Sequence, residues 1–114
     1  MPYIGIQVNH SLDTQQERAI QAKLEEAITL LPGKSSRWLM TSFKGDVHFY
    51  FQGDGNTPAA FVDVRIFGGS DRASYEQLTA ALTSILTKEL GTPSDRIYVV
   101  YGETENWGWN GSNL

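Results

Sequence analysis

Apolar residues alternate at the start of the chain, at Ile4, Ile6 and Val8 within residues 3–8, which is the two-residue period of a strand with one buried face. Pro2 therefore opens a strand. Residues 9–13 make a turn, and Thr14 with Glu17 three positions on reads as a capping box. Ile20, Leu24, Ala27, Ile28 and Leu31 then keep helical spacing until Pro32-Gly33 stops it. Residues 38–43 read as a second strand, and residues 47–51 as a short third segment before the turn at residues 53–56.

The pattern then repeats. Residues 60–67 are rich in strand formers, Tyr75, Leu78, Leu82, Ile85 and Leu86 mark a second amphipathic helix, Gly91 and Pro93 close it, and residues 97–101 form the strand that follows. The connections share wording, Gly33-Lys34-Ser35-Ser36-Arg37-Trp38 in the first half and Gly91-Thr92-Pro93-Ser94-Asp95-Arg96-Ile97 in the second. Two β-α-β units in tandem, an α+β single domain over residues 1–114, are the simplest reading. Right-handed crossovers put both helices on one face of a shared sheet and leave the other face needing cover, which predicts assembly into a closed ring.

Composition narrows the function. The chain is 40% hydrophobic and 19% charged, with a net charge of −4 and a pI near 5.0. That balance argues against a phosphate-binding surface and hence against nucleic acid. With no cysteine, neither a disulfide framework nor a thiol nucleophile is available. The start of the chain has no signal-peptide pattern and no window would span a bilayer, so a cytoplasmic protein without a membrane partner is the expectation, non-classical export staying open. Asn9 and Asn110 stand in Asn-x-Ser triplets that matter only in a secretory pathway.

Pro2 carries the most chemistry. Methionine is commonly removed before proline, and this would leave a secondary amine; an α-amino group titrates at about 7.7–8.0, roughly two units below lysine. Burial or a nearby cation lowers it further and makes it a base near neutral pH. The plainer account is that Pro2 only opens an edge strand. A retained Met1 would leave the nitrogen acylated and inert as a base. Lys34, after the helix stop, either complements the helix dipole or sets its ammonium near Pro2 to hold a carboxylate. Trp38, Tyr98, Tyr101, Trp107 and Trp109 supply rings for a core, an interface or a pocket. His10 and His48 have no metal-ligand spacing and are expected to be structural or solvated, so no metal is expected. Gly68-Gly69-Ser70 before the second helix is either a turn or an anion site.

Several short motifs, in order, resemble the macrophage migration inhibitory factor and D-dopachrome tautomerase family over the whole length. They are Met1-Pro2, Leu31-Pro32-Gly33-Lys34, Thr57-Pro58, Asp95-Arg96-Ile97-Tyr98 and Gly108-Trp109-Asn110-Gly111-Ser112. The resemblance implies a homotrimer of β-α-β repeats with active sites between subunits. It further implies cofactor-free keto–enol tautomerisation of phenylpyruvate-like α-keto acids and dopachrome-like substrates. By position, Pro2 matches the catalytic base, Lys34 the carboxylate-binding cation and Val64 a backbone contact on the pocket wall. Tyr98 would come from the neighbouring subunit, and Trp38, Trp107 and Trp109 would border the mouth.

The chain also departs from the family pattern. Val100 stands where a pocket asparagine is familiar, Trp38 replaces a tyrosine and Ser35 a proline, and residues 58–62 lack the cysteine pair of the vertebrate cytokine. Two alternatives stay open: a cytokine-like binding protein with a vestigial pocket, against which the missing cysteine pair and export signal count, and, because of Val100, a proline-based tautomerase for another small unsaturated or halogenated acid.

Overall fold

In a computed structural model of residues 1–114, the alternating segments become β1 (Pro2–Val8), β2 (Met40–Lys44), β3 (Ala60–Phe67) and β4 (Ile97–Thr104). They form one mixed sheet in the order β2-β1-β3-β4. Helix α1 (Thr14–Ala27) follows β1 and α2 (Arg72–Leu90) follows β3. β1 pairs with β2 in parallel and β3 with β4 in parallel, while β1 and β3 meet antiparallel with Gly5 opposite Asp63. Two β-α-β units thus lie back to back, their helices running in opposite directions on one face.

The period-two pattern decides which face is covered. Ile4, Ile6, Val8, Val62, Val64 and Ile66 pack against Ile20, Leu24, Leu78, Leu82 and Leu86, all essentially buried. Truncating such a leucine to alanine typically costs about 2–5 kcal/mol. The opposite face carries Tyr3, Gln7, Phe61, Asp63 and Arg65 on the central strands, with Tyr98 and Val100, 58% and 41% exposed, on β4.

Local details depart from the expectations in four places. The capping box is Asp13 with Gln16: Asp13 accepts from the Gln16 N–H at 2.7 Å, and the Gln16 side chain accepts from the Asp13 N–H at 3.0 Å. Asp13 and Thr14 both offer the right spacing, and the carboxylate one residue earlier wins the cap. Residues 36–38 form a 3-10 turn closed by the Leu39 N–H on the Ser36 carbonyl at 3.2 Å, so β2 starts only at Met40. Residues 47–51 make no strand: Val47 bonds back to the Val8 carbonyl, and the Phe51 carbonyl is taken by Asp54 and Arg96. Finally, β5 (Gly108–Trp109) and β6 (Ser112–Asn113) form a hairpin across Asn110-Gly111, both at positive φ. That dipeptide is the strongest short hairpin signal a sequence carries.

Candidate active site

The first residues of β1 floor an open cleft of about 830 Å³. Met1, Pro2 and Tyr3 lie at its base, residues 37–40 make one wall, Trp107, Gly108 and Trp109 the other, and Asp63 with Arg65 come from the neighbouring strand. Pro2 itself is buried. Trp38 and Trp109 meet edge to face with centroids 5.1 Å apart, a geometry that suits the ring quadrupoles. The Arg37 guanidinium lies over Trp38 at 5.1 Å.

The floor depends on a missing side chain. The Tyr3 ring folds back over Gly5, where a Cβ would lie only 2.4 Å from the phenol oxygen. Its hydroxyl is 2.6 Å from Ser42 Oγ.

Lys34 does not line this cleft but lies beside its Met1 end, close enough to act on the Met1 amine. It follows Gly33, at a φ of 78° in the turn that the Lys34 N–H closes on the Leu31 carbonyl at 3.1 Å, and its half-buried side chain crosses to β3, where Nζ donates to the Phe67 carbonyl at 3.0 Å. The Phe67 N–H donates in turn to the Met1 carbonyl at 3.1 Å. The α-amino group of Met1 is held below its ordinary value, first by burial and then by the Lys34 ammonium. This end of the sheet therefore favours a neutral amine.

Other residues singled out by the sequence lie elsewhere in the chain. Tyr98 pairs with Phe61, whereas Pro2 pairs with Ile66; five residues of β3 separate them, about 16 Å. The Tyr98 ring meets Phe51 edge-on at 5.2 Å and helps line a small apolar cavity of about 100 Å³. Val100 faces a separate recess with Asp63, Arg65 and Trp107. Val64 is fully buried, its side chain in the core, and does not line the Pro2 cleft.

Beside Tyr98, Arg96 donates to the carbonyls of Phe51, Asp54, Thr57 and Pro58 at 3.0–3.2 Å and lies 3.8 Å from the Asp54 carboxylate. Asp54 is held down to about 2, chiefly by the Thr57 hydroxyl and then by the N–H groups of Asn56 and Thr57.

The Gly68-Gly69-Ser70 turn has an occupant from the chain itself. Glu103 accepts from the Ser70 N–H at 3.2 Å and from the Tyr75 hydroxyl at 2.5 Å. Burial, reinforced by that carboxylate, pushes the Tyr75 phenol up to about 12. The Ser70 donor is thus spent on an internal anion, and the Gly68 N–H on the Thr104 carbonyl at 2.8 Å. His10 is held by the Ser11 carbonyl at 3.0 Å. No three His, Cys, Asp or Glu side chains come together as a metal site.

Sequence reasoning missed Phe67. Its part is played by the main chain at the end of β3, so side-chain identity gives no signal; only the pairing of β3 with the first residues reveals it.

The macrophage migration inhibitory factor family model matches residues 1–114. A macrophage migration inhibitory factor from Xenopus laevis is 30% identical, aligning 100% of this chain with 99% of that protein. The crystal structure of Leishmania major MIF2 superposes with a TM-score of 0.93 at 34% identity, covering 100% of this chain and 97% of that one. A homologue from Prochlorococcus marinus gives a TM-score of 0.81 at 28% identity, with 97% of each chain covered.

Proposed function

The chain belongs to the macrophage migration inhibitory factor family, and from that premise we propose that it is a keto–enol tautomerase of phenylpyruvate-like α-keto acids, with Pro2 as general base. The observation that carries this reading is an N-terminal amine kept below its ordinary pKa by burial and the nearby Lys34 ammonium, beside an aromatic cleft lined by Met1 and Pro2. Removal of Met1 puts the amine on Pro2 itself.

Neutral Pro2 takes a proton from the carbon beside the ketone, the C–H electron pair forms the C=C bond, and the carbonyl π pair moves onto oxygen. Protonation of that oxygen gives the enol; the reverse path returns the ketone. Lys34 holds the substrate carboxylate, and Trp38, Trp107 and Trp109 pack its ring and thin out the water that would screen the charge. The residues placed at the sheet's far end fit a trimeric site: Tyr98, 58% exposed, and Val100 would enter the cleft of a neighbouring copy. Val64 would contribute through its main chain.

The test is phenylpyruvate enol–keto turnover on protein whose loss of Met1 is shown by intact mass. Pro2→Gly should lower kcat/KM by about 10²-fold or more with the same far-ultraviolet circular dichroism spectrum. Unchanged turnover in that variant removes Pro2 as the base, and light scattering that shows a stable monomer removes Tyr98 and Val100 from the site.

A further inference from the structure

Two dipeptides of an acidic or amide residue followed by glycine stand in turns, Asp54-Gly55 and Asn110-Gly111, and the fold treats their side chains oppositely. Asp54 accepts from the Asn56 N–H at 2.8 Å, from the Thr57 N–H at 3.1 Å and from the Thr57 hydroxyl, and lies 3.8 Å from Arg96. Asn9 is tied at both ends of its amide, to the Thr57 carbonyl at 3.0 Å and the Ala59 N–H at 2.8 Å. Asn110, the one asparagine followed by glycine, has no such tether and stands exposed at the tip of the β5–β6 hairpin.

We propose that Asn110 is a self-modifying site: it deamidates through attack by the Gly111 nitrogen, which puts an anion beside the wall of the Pro2 cleft and weakens the cleft's hold on carboxylates. The Gly111 nitrogen bonds to the side-chain carbonyl carbon of Asn110, and ammonia leaves with the amide proton, closing a five-membered imide. Water then opens the ring. Cleavage of the bond from nitrogen to the side-chain carbon gives aspartate; cleavage at the main-chain carbonyl gives isoaspartate, in which the chain runs through the former side chain. Glycine permits the attack because no Cβ shields its nitrogen.

The closed turn does not react. Asn110 at a φ of 52° and Gly111 at 84° lie in the left-handed region, whose ψ of roughly +30 to +60° turns the Gly111 nitrogen away from the Asn110 side chain. Reaction waits on opening. The strands of this hairpin are two residues each and pair only with one another, and residues 108–114 are exposed throughout. A lone two-stranded ribbon is marginal in water and sits at the low end of local stability.

Trp109, the preceding residue, lines the cleft and meets Trp38 at 5.1 Å, and the Arg37 guanidinium lies over Trp38. A carboxylate at Asn110 therefore adds a negative charge one residue from that wall. Isoaspartate also lengthens the main chain by one carbon, which the Trp109–Ser112 pairing across a two-residue turn does not accommodate. The modification is independent of the role of Pro2; its effect rests on the reading of the cleft as a carboxylate site.

The experiment holds Met1-free protein in mildly alkaline buffer at physiological temperature and follows it over days by peptide mass, with isoaspartyl methyltransferase labelling to score isoaspartate. Asn110 should convert to both products while Asn9 and Asp54 stay intact, at a rate within about tenfold of that in a synthetic peptide of residues 106–114, because the hairpin opens readily. Asn110→Gln should not convert on that scale, since its ring would need six members. Conversion more than about tenfold slower than in the peptide, or led by Asn9 or Asp54, overturns the site.

A second arm titrates fresh wild type and Asn110→Asp with phenylacetate, read by tryptophan fluorescence. The variant should bind about twofold more weakly in dilute buffer, and the difference should vanish at about 1 M salt, where screening reaches within about 3 Å. Equal binding in dilute buffer, or none by either protein, overturns the effect on the cleft. Loss of turnover in Pro2→Gly is read separately, so the tautomerase reading and this one fail by different measurements.

Discussion

The two β-α-β units use the same connection for opposite ends. In the first, Lys34 follows the helix stop with its ammonium bound to one carbonyl, that of Phe67, and Trp38 closes the 3-10 turn 39% exposed on the cleft wall. At the matching positions of the second, Thr92 is fully buried, and Arg96 has a side chain only 9% exposed and shared among four carbonyls. One connection keeps its cation and ring available to a ligand. The other consumes its cation in holding residues 51–58. A duplicated frame thus divides its work through the side chains that follow each helix stop.

Removing the cations tests that division. Arg96→Ala leaves four carbonyls without their donor and should lower unfolding free energy by about 2–3 kcal/mol, read by urea denaturation. Lys34→Ala should change stability by no more than about 0.5 kcal/mol but raise the KM for phenylpyruvate about tenfold, the loss of a charge-assisted contact to the carboxylate. It should also move the acid limb of the kcat/KM profile to higher pH, because the ammonium no longer helps to keep the amine neutral; burial, the larger cause, persists. If Lys34→Ala destabilises as strongly as Arg96→Ala, the contrast between the connections fails.

The smallest effect concerns acid. The Asp54 carboxyl is lowered in the folded protein, so its stabilisation is complete above the ordinary carboxylate value of about 3.9 and disappears as pH falls towards about 2. Asp71 and Glu103 are lowered too, so the wild-type acid limb is composite. The difference in melting temperature between wild type and Asp54→Asn isolates this group: it should shrink between pH 4 and pH 2, and a constant difference would assign Asp54 no share of the limb.

Much of this frame was legible in the sequence because periodicity and burial agree. Ile4, Ile6 and Val8 alternate onto the helix-covered face, and Leu78, Leu82, Ile85 and Leu86 turn one stripe of α2 inward. Residues 47–51 carry strand-forming side chains, yet a strand needs a ladder partner, and here the Phe51 carbonyl goes to Arg96 and Asp54 instead. Pro2 and Lys34 stand out by position and charge. Tyr98 stands out as well, but its distance from Pro2 is a property of sheet register, which one-dimensional spacing does not contain. The Glu103 carboxylate on Ser70 likewise joins residues 33 apart in the chain.

All three tryptophans of the chain, Trp38, Trp107 and Trp109, border the Pro2 cleft. The intrinsic indole emission of this protein is consequently a local signal: its wavelength and intensity report the polarity and occupancy of one crevice, with the distant core silent at that colour.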